Sequence, residues 1–251
     1  MRARHRHFNS VHAGAATSLD GRFITGFAND ASMNVWTGRA GSTINPTQDS
    51  EINKPKFKIS AINGPGVYFD DQAVSFGANY FEDTISLNAN NVSTVSVAQK
   101  TANNSRTQFG RVVGFYKSGG EDYNSLNAII MLFLGNDNFG GHNPAAAAWR
   151  NLNLIAALPY TLTESIVSST VINGSGATLT KNGSVTTGTT SATALDSDRI
   201  RIGAGTTINN FRDANFLGYI SRIDVFFSAI EAPMRRRCEH AAAFSFKIAC
   251  S

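Results

Sequence analysis

Between Gly135 and Trp149 the chain reads GNDNFGGHNPAAAAW, a long stretch rich in carboxamides, with one carboxylate, one imidazole and two aromatic rings. Sugars are recognised by flat aromatic faces, which take up their apolar C–H surfaces. Carboxamides and carboxylates hold paired hydroxyls. Asn136, Asp137, Asn138, Phe139, His142 and Trp149 are therefore the candidate carbohydrate-binding residues. Loops of this length are uncommon unless they carry function. A plainer reading stays open beside this one: Phe139 and Trp149 anchor a core or an interface, and the polar residues only turn the chain.

Catalytic and metal-binding patterns are sparse. Asp137 with Asn136 and Asn138 offers oxygens to Ca²⁺, but the spacing matches no recognised calcium loop. His5, His7 and His12 lie in a basic stretch with no cysteine or acidic partner, so no metal or other cofactor is expected. Among the glutamates (Glu51, Glu82, Glu121, Glu164, Glu231 and Glu239) none has a second acid at alternating spacing within a strand-like segment. Glu82-Asp83 and Glu121-Asp122 are adjacent pairs, whose side chains point to opposite faces of a strand. No Gly-x-Ser-x-Gly elbow, phosphate loop or dinucleotide fingerprint occurs. The chain is not expected to be an enzyme.

The elements that must position these residues are mostly strands. The chain has 251 residues, 42% hydrophobic and 16% charged, with 17 phenylalanines, enough for one large β domain with a buried core. Its polar residues are mainly Ser, Thr, Asn and Gly, the chemistry of turns. No apolar run is long enough to span a bilayer. Residues 1–18 read as a basic arm, with Arg2, Arg4 and Arg6 as candidate assembly anchors, and residues 19–251 as the domain. The net charge is +4, and Arg235, Arg236 and Arg237 form a second basic cluster. No aromatic-interleaved basic stripe accompanies either cluster, so nucleic acid is not an expected partner. The two cysteines, Cys238 and Cys250, make no disulfide framework and are read as free thiols of a protein folded in a reducing cytoplasm.

Strand signals recur along the chain. STVSVAQ (93–99) places Val95 and Val97 on one face, and NAIIMLFL (127–134) is a continuous apolar run suited to a central strand. Asn173-Gly174 and Asn182-Gly183 fit hairpin turns, because both residues tolerate the positive φ of a type I′ turn. In GYISRIDVFF (218–227), Tyr219, Ser221, Ile223, Val225 and Phe227 share one face and Ile220, Arg222, Asp224 and Phe226 the other. A helix is expected at about 229–243, with Ser228 as N-cap and Glu231 completing a capping box. Ile230, Met234 and Cys238 would pack on the sheet, while Arg235, Arg236 and Glu239 face water.

In order, MNVWTGRAG (33–41), INGPGVYFDD (62–71), TVSVAQK, RVVGFY, SSTVINGSGATLTKNGSV, RIRIGAG and the closing FLGYISRIDVFFSAIEAPMRRRCEHAAAFSFK resemble the concanavalin A-like lectin/glucanase superfamily, in its laminin-G-like bacterial and phage form. The resemblance spans roughly residues 20–248. It implies an all-β jelly-roll sandwich of two antiparallel sheets with one short C-terminal helix. The Glu-x-Asp-x-x-Glu strand motif of that superfamily's glycosidases is absent from this sequence. The leading expectation is a non-enzymatic carbohydrate-binding or adhesion module of a larger assembly, such as a phage fibre, spike or decoration protein. Its expected partners are a cell-surface glycan and other assembly subunits or copies of itself, without membrane insertion. It would reside in the virion after folding in the host cytoplasm, or else remain cytoplasmic. A structural protein with no sugar ligand and a divergent glycoside hydrolase are the alternatives.

Overall fold

The computed structural model describes residues 14–39, 41–70, 79–102, 109–119, 125–135, 145–151, 153–205 and 215–250. The sequence-predicted residues Arg2, Arg4 and Arg6, and Asn136, Asp137, Asn138, Phe139 and His142, lie outside the described residues. In chain order the strands are β1 (Thr17–Asp20), β2 (Lys56–Lys58), β3 (Gly66–Phe69), β4 (Phe81–Ala89), β5 (Asn91–Lys100), β6 (Phe109–Tyr116), β7 (Ile129–Gly135) and β8 (Ala145–Arg150). They continue with β9 (Asn153–Pro159), β10 (Ile166–Asn173), β11 (Gly176–Lys181), β12 (Ser184–Thr189), β13 (Leu195–Ile202) and β14 (Gly218–Phe226), and the helix α1 (Ala232–Phe246) closes the chain. Thr17 and Ser18, at the end of the stretch read as an arm, already pair with Val225 and Asp224.

Two antiparallel sheets form a sandwich, as the sequence implied. One has the order β12-β11-β10-β5-β14-β3-β2, with β1 also paired to β14; the other has the order β4-β13-β6-β7-β8-β9. Between them Trp36, Phe57, Phe69, Phe81, Phe115 and Phe216 join the valines, leucines and isoleucines of both inner faces. Phe69 meets Phe81 and Phe216 edge-on, with centroids 6.2 and 6.3 Å apart. These edge-to-face contacts add to the area that the rings bury. The apolar run of β7 is buried at every residue in the middle of its sheet, as its composition predicted.

One side of the sandwich is sealed where β12 meets β9 across the two sheets. There a Cβ on Gly188 would lie 1.7 Å from the Ile155 carbonyl oxygen, so only glycine permits this approach. The hairpins differ from each other. Asn182 (φ 48°) and Gly183 (φ 92°) form the expected two-residue turn with both φ positive. In the other hairpin Asn173 still pairs with Gly176, so the turn is Gly174-Ser175, with positive φ at Gly174 alone. That is the type II′ pattern, which the glycine at its first position satisfies without Asn173.

The closing strand departs from simple alternation. Ile220, Ile223 and Val225 belong to the inter-sheet core, whereas Tyr219 and Phe226 face outward toward the helix. A register shift between Ile220 and Arg222 in the pairing with β5 inserts one residue and exchanges the faces. At the same point the neighbour of β14 changes from β3, opposite residues 218–220, to β1, opposite residues 222–225.

The helix also begins later than its capping signal suggests. Its N-cap is Glu231, without a side-chain cap bond, and Pro233 lies in the first turn. A start at Ser228 would place Pro233 where its missing N–H breaks an intrahelical bond. Ser93 holds the intervening chain extended: its Oγ donates to the Ser228 carbonyl at 2.8 Å and accepts from the Ile230 N–H at 3.1 Å. The helix ends beyond the expected residue 243, with Lys247 in the left-handed region.

Cys238, Ala242, Ala243 and Phe246 pack on Ile62, Val95, Val97, Val167 and Phe226, so Val95 and Val97 do share the helix-facing side of β5. Ile230 and Met234 flank this cluster, half-buried. Arg235 and Glu239 are buried, not solvated. Glu239 accepts from the Ser169 and Thr180 hydroxyls at 2.5 and 2.7 Å, and Arg235 pairs with it at 3.4 Å. Hydroxyls on β10 and β11 thus supply partners that the helix sequence alone does not reveal.

Both cysteines are thiols, Cys238 buried and Cys250 partly exposed. Burial pushes the Cys238 thiol up to about 12 and raises that of Cys250. A thiol-specific colorimetric reagent at pH 8 should therefore label only Cys250 in the native protein, with Cys238 reacting after denaturation. Rapid labelling of both thiols would contradict the docked helix.

Candidate functional site

The outer face of the six-stranded sheet carries one residue per strand in a continuous cross-strand row: Glu82, Arg201, Gly114, Ile130, Trp149 and Leu154. The two ends of the row differ in chemistry. At the β4 edge the Arg201 guanidinium binds the Glu82 carboxylate through Nε at 2.8 Å and lies 4.4 Å from the Tyr80 ring centroid. In the centre the Tyr116 side chain lies over Gly114, where an added Cβ would come within 2.3 Å of its hydroxyl oxygen. At the β9 edge Trp149 and Leu154 are half-buried against Ile130, Phe133 and Ala147. Trp149 thus belongs to the outer face and not to the inter-sheet core. Its partial exposure leaves apolar surface to meet a ligand.

Beside this ledge, a cleft of about 320 Å³ opens between the β8–β9 turn and the chain leaving β12. Arg150, Asn151, Asn153, Leu154, Thr189, Thr190 and Ser191 line it, so Leu154 belongs to both the ledge and the cleft. The turn folds this way because Asn151 takes a left-handed φ of 47°, which asparagine tolerates better than other non-glycine residues. The Asn153 side-chain amide then donates to the Asn151 carbonyl at 2.6 Å.

Arg150 builds the base of the cleft. Its Nε and Nη2 donate to the Leu126 carbonyl, Nη1 to Asn90 Oδ1 and the Ser191 carbonyl, and Nη2 also to the Thr193 carbonyl. The guanidinium donors are thereby used up in tying Leu126, Asn90 and the 189–193 segment to β8. Burial lowers the Arg150 pKa from its ordinary value. The Thr190 hydroxyl is buried at the cleft and has no hydrogen-bond partner among the described residues. A buried hydroxyl without a partner costs free energy that a bound hydroxyl or water would recover.

The cleft therefore presents amides and hydroxyls beside an apolar ledge, with no carboxylate or imidazole among the described residues that line it. Such a surface can exchange hydrogen bonds with a polyhydroxyl ligand. Among the described residues no group of His, Cys, Asp and Glu could hold a metal ion. Of the sequence-predicted binding residues, the described structure includes Trp149 and brings it next to Leu154. Asn151, Asn153, Thr189, Thr190 and Ser191 were not foreseen. Singly they are ordinary turn residues, and only the β9–β12 closure gathers them.

No protein-family model matches the chain, and no curated protein matches it. Among solved structures it is similar to domain 4 of AbnA, a GH43 extracellular arabinanase from Geobacillus stearothermophilus, in complex with arabinotriose. That likeness has 11% identity over 90% of this chain and 98% of that one, with a TM-score of 0.58. It is also similar to an arabinofuranosidase complexed with arabinofuranosyl-α-1,2-xylobiose, at 10% identity over 94% of this chain and 64% of that one, with a TM-score of 0.65. A Trypanosoma rangeli sialidase shares 10% identity over 93% of this chain and 33% of its own, with a TM-score of 0.51. Likeness at such identities shows the fold, a β-sandwich found in carbohydrate-active proteins.

Proposed function

We propose that this chain is a non-enzymatic carbohydrate-binding module of the concanavalin A-like jelly-roll type, displayed by a larger assembly such as a bacteriophage virion. The observation that carries this reading is the half-buried Trp149–Leu154 ledge beside a cleft of amides and hydroxyls. Stacking on the ledge and hydrogen bonding in the cleft are the two halves of sugar recognition. The likeness to a domain solved with arabinotriose supports it, since that ligand is a neutral sugar. Glycoside hydrolysis needs two carboxyl groups flanking the scissile bond. The described residues of the cleft lining supply none, and the Glu82 carboxylate on the same face is bound by Arg201. Retardation of the protein in gels containing linear arabinan or arabinoxylan, without release of reducing ends, is the expected result. Release of reducing ends would make the chain a hydrolase.

In such an assembly Arg2, Arg4 and Arg6 anchor the subunit, with the module facing outward toward a cell-surface glycan. Because the pairing of β1 begins at Thr17, deleting residues 1–13 should leave the melting temperature unchanged while abolishing incorporation into the particle. Normal incorporation of the truncated protein would remove this role from the arginines.

A further inference from the structure

The outer face of the eight-stranded sheet, across the sandwich from the Trp149 cleft, carries a second aromatic surface. Tyr68 and Tyr219 are directly opposed on β3 and β14, with ring centroids 5.0 Å apart and planes inclined at 43°. Pairing extends this row to Lys56 on β2 and Gln99 on β5. The helix covers this sheet face over Val95, Val97 and Val167 and leaves both tyrosines half-buried at its border.

We propose that Tyr68 and Tyr219 form a second carbohydrate-binding site, for neutral oligosaccharides. Two adjoining aromatic rings offer an apolar face wider than either alone, suited to the C–H face of a sugar ring. The flanking groups choose the ligand's charge. Lys56 pairs with Asp70 at 3.2 Å, and Lys58 pairs with Asp30 while its ammonium lies 5.5 Å from the Tyr68 ring centroid. Each of these cations is balanced by its own carboxylate, so the described groups flanking the rings carry no net charge with which to select an acidic sugar. The same pairs and the Gln99 amide, which is fixed by donating to the Thr163 carbonyl and Ser165 Oγ, place polar groups around the rings to meet sugar hydroxyls. A protein with sites on opposite faces binds a polysaccharide more tightly than a short oligosaccharide through multivalency.

This site rests on the carbohydrate-binding reading, and the test separates the two. Linear arabinan and arabinoxylan, with polygalacturonate as the acidic contrast, are titrated against the wild type, Trp149→Ala, Tyr68→Ala, Tyr219→Ala and the Trp149→Ala/Tyr68→Ala double variant. Melting temperatures are taken in parallel; Tyr68→Ala, with Tyr219→Phe as its conservative partner, serves if Tyr219→Ala fails to fold. The expected result is residual binding of a neutral polysaccharide by Trp149→Ala that disappears in the double variant. Each single loss should weaken the apparent affinity at least about tenfold. Binding that survives Tyr68→Ala unchanged and vanishes with Trp149→Ala overturns the second site and leaves the first. Preference for polygalacturonate over both neutral polymers overturns the neutral assignment. A wild type that binds none of the polymers overturns this site and the carbohydrate-binding reading together.

Discussion

Replacing Asp224 with alanine is expected to destabilise the domain by about 3–5 kcal/mol, because it strips a buried arginine of its counter-charge. Arg222 and Asp224 lie on the outer face of β14 beneath the helix, each with a side chain 1% exposed. Arg222 Nε and Nη2 donate to Asp224 Oδ2 at 2.9 and 2.7 Å. Burial alone would lower the Arg222 pKa; the charge and hydrogen bond of Asp224, with smaller contributions from Asp20 and Cys238, outweigh it and leave the value raised. Removing the carboxylate takes away the nearest counter-charge of a buried cation, leaving Asp20 on β1 as its acidic neighbour. Arg222→Met/Asp224→Leu, which removes both charges at similar volume, should recover most of the loss. Urea denaturation at neutral pH measures both. An Asp224→Ala variant within about 0.5 kcal/mol of wild type would mean that the pair is not held as described.

The second large effect is a pH dependence set by Lys100. This residue is fully buried at the end of β5, and its backbone N–H donates to the Tyr160 hydroxyl at 3.0 Å. Burial, reinforced by the Arg111 charge, lowers its ammonium pKa to about 7 from the ordinary 10.5. Above about pH 7 the folded state has released a proton that the unfolded chain still binds, so stability rises with pH. The cost of the buried charge is fully present below pH 7 and fades as pH approaches the unfolded value. Between about pH 7 and 8 the contribution climbs toward about 1.4 kcal/mol per pH unit. That window stops below the ordinary thiol value of 9.0, where the unfolded Cys238 and Cys250 thiols begin to ionise while burial keeps the folded ones protonated, an effect that opposes the lysine's at higher pH. Lys100→Met should flatten the profile and stabilise most at pH 6. A wild-type profile already flat from about pH 7 to 8 would contradict this.

What the sequence revealed follows from how local each signal is. Alternation marked β5, a continuous apolar run marked β7 and Asn-Gly pairs marked the hairpins of β10, β11 and β12, because a strand's faces and a hairpin's φ demands are written in consecutive residues. The face exchange in β14 was not legible, since Ser221 is compatible with either side and the bulge is set by pairing with β5. The burial of Arg235 and Glu239 was missed for a related reason: charged residues on a helix face water unless partners come from elsewhere. Here Ser169 and Thr180, distant in sequence, are those partners. Trp149 stood out because a large aromatic ring among alanines needs a reason. The cleft beside it was silent, because its amides and hydroxyls come from two separated turns that meet only where Gly188 allows the sheets to touch.

The central claim is that the ledge and cleft at the β8–β9 edge bind sugar, and calorimetric titration of Trp149→Ala against linear arabinan and arabinoxylan tests it most directly. The loss of stacking should weaken binding of the favoured polymer at least about tenfold, roughly 1.4 kcal/mol. Because Trp149 is half-buried on the outer face, its removal should cost the fold less than the ~3–5 kcal/mol of a core aromatic. Unchanged affinity in Trp149→Ala, or a variant that unfolds as a core truncation would, contradicts the account and makes Trp149 a structural anchor.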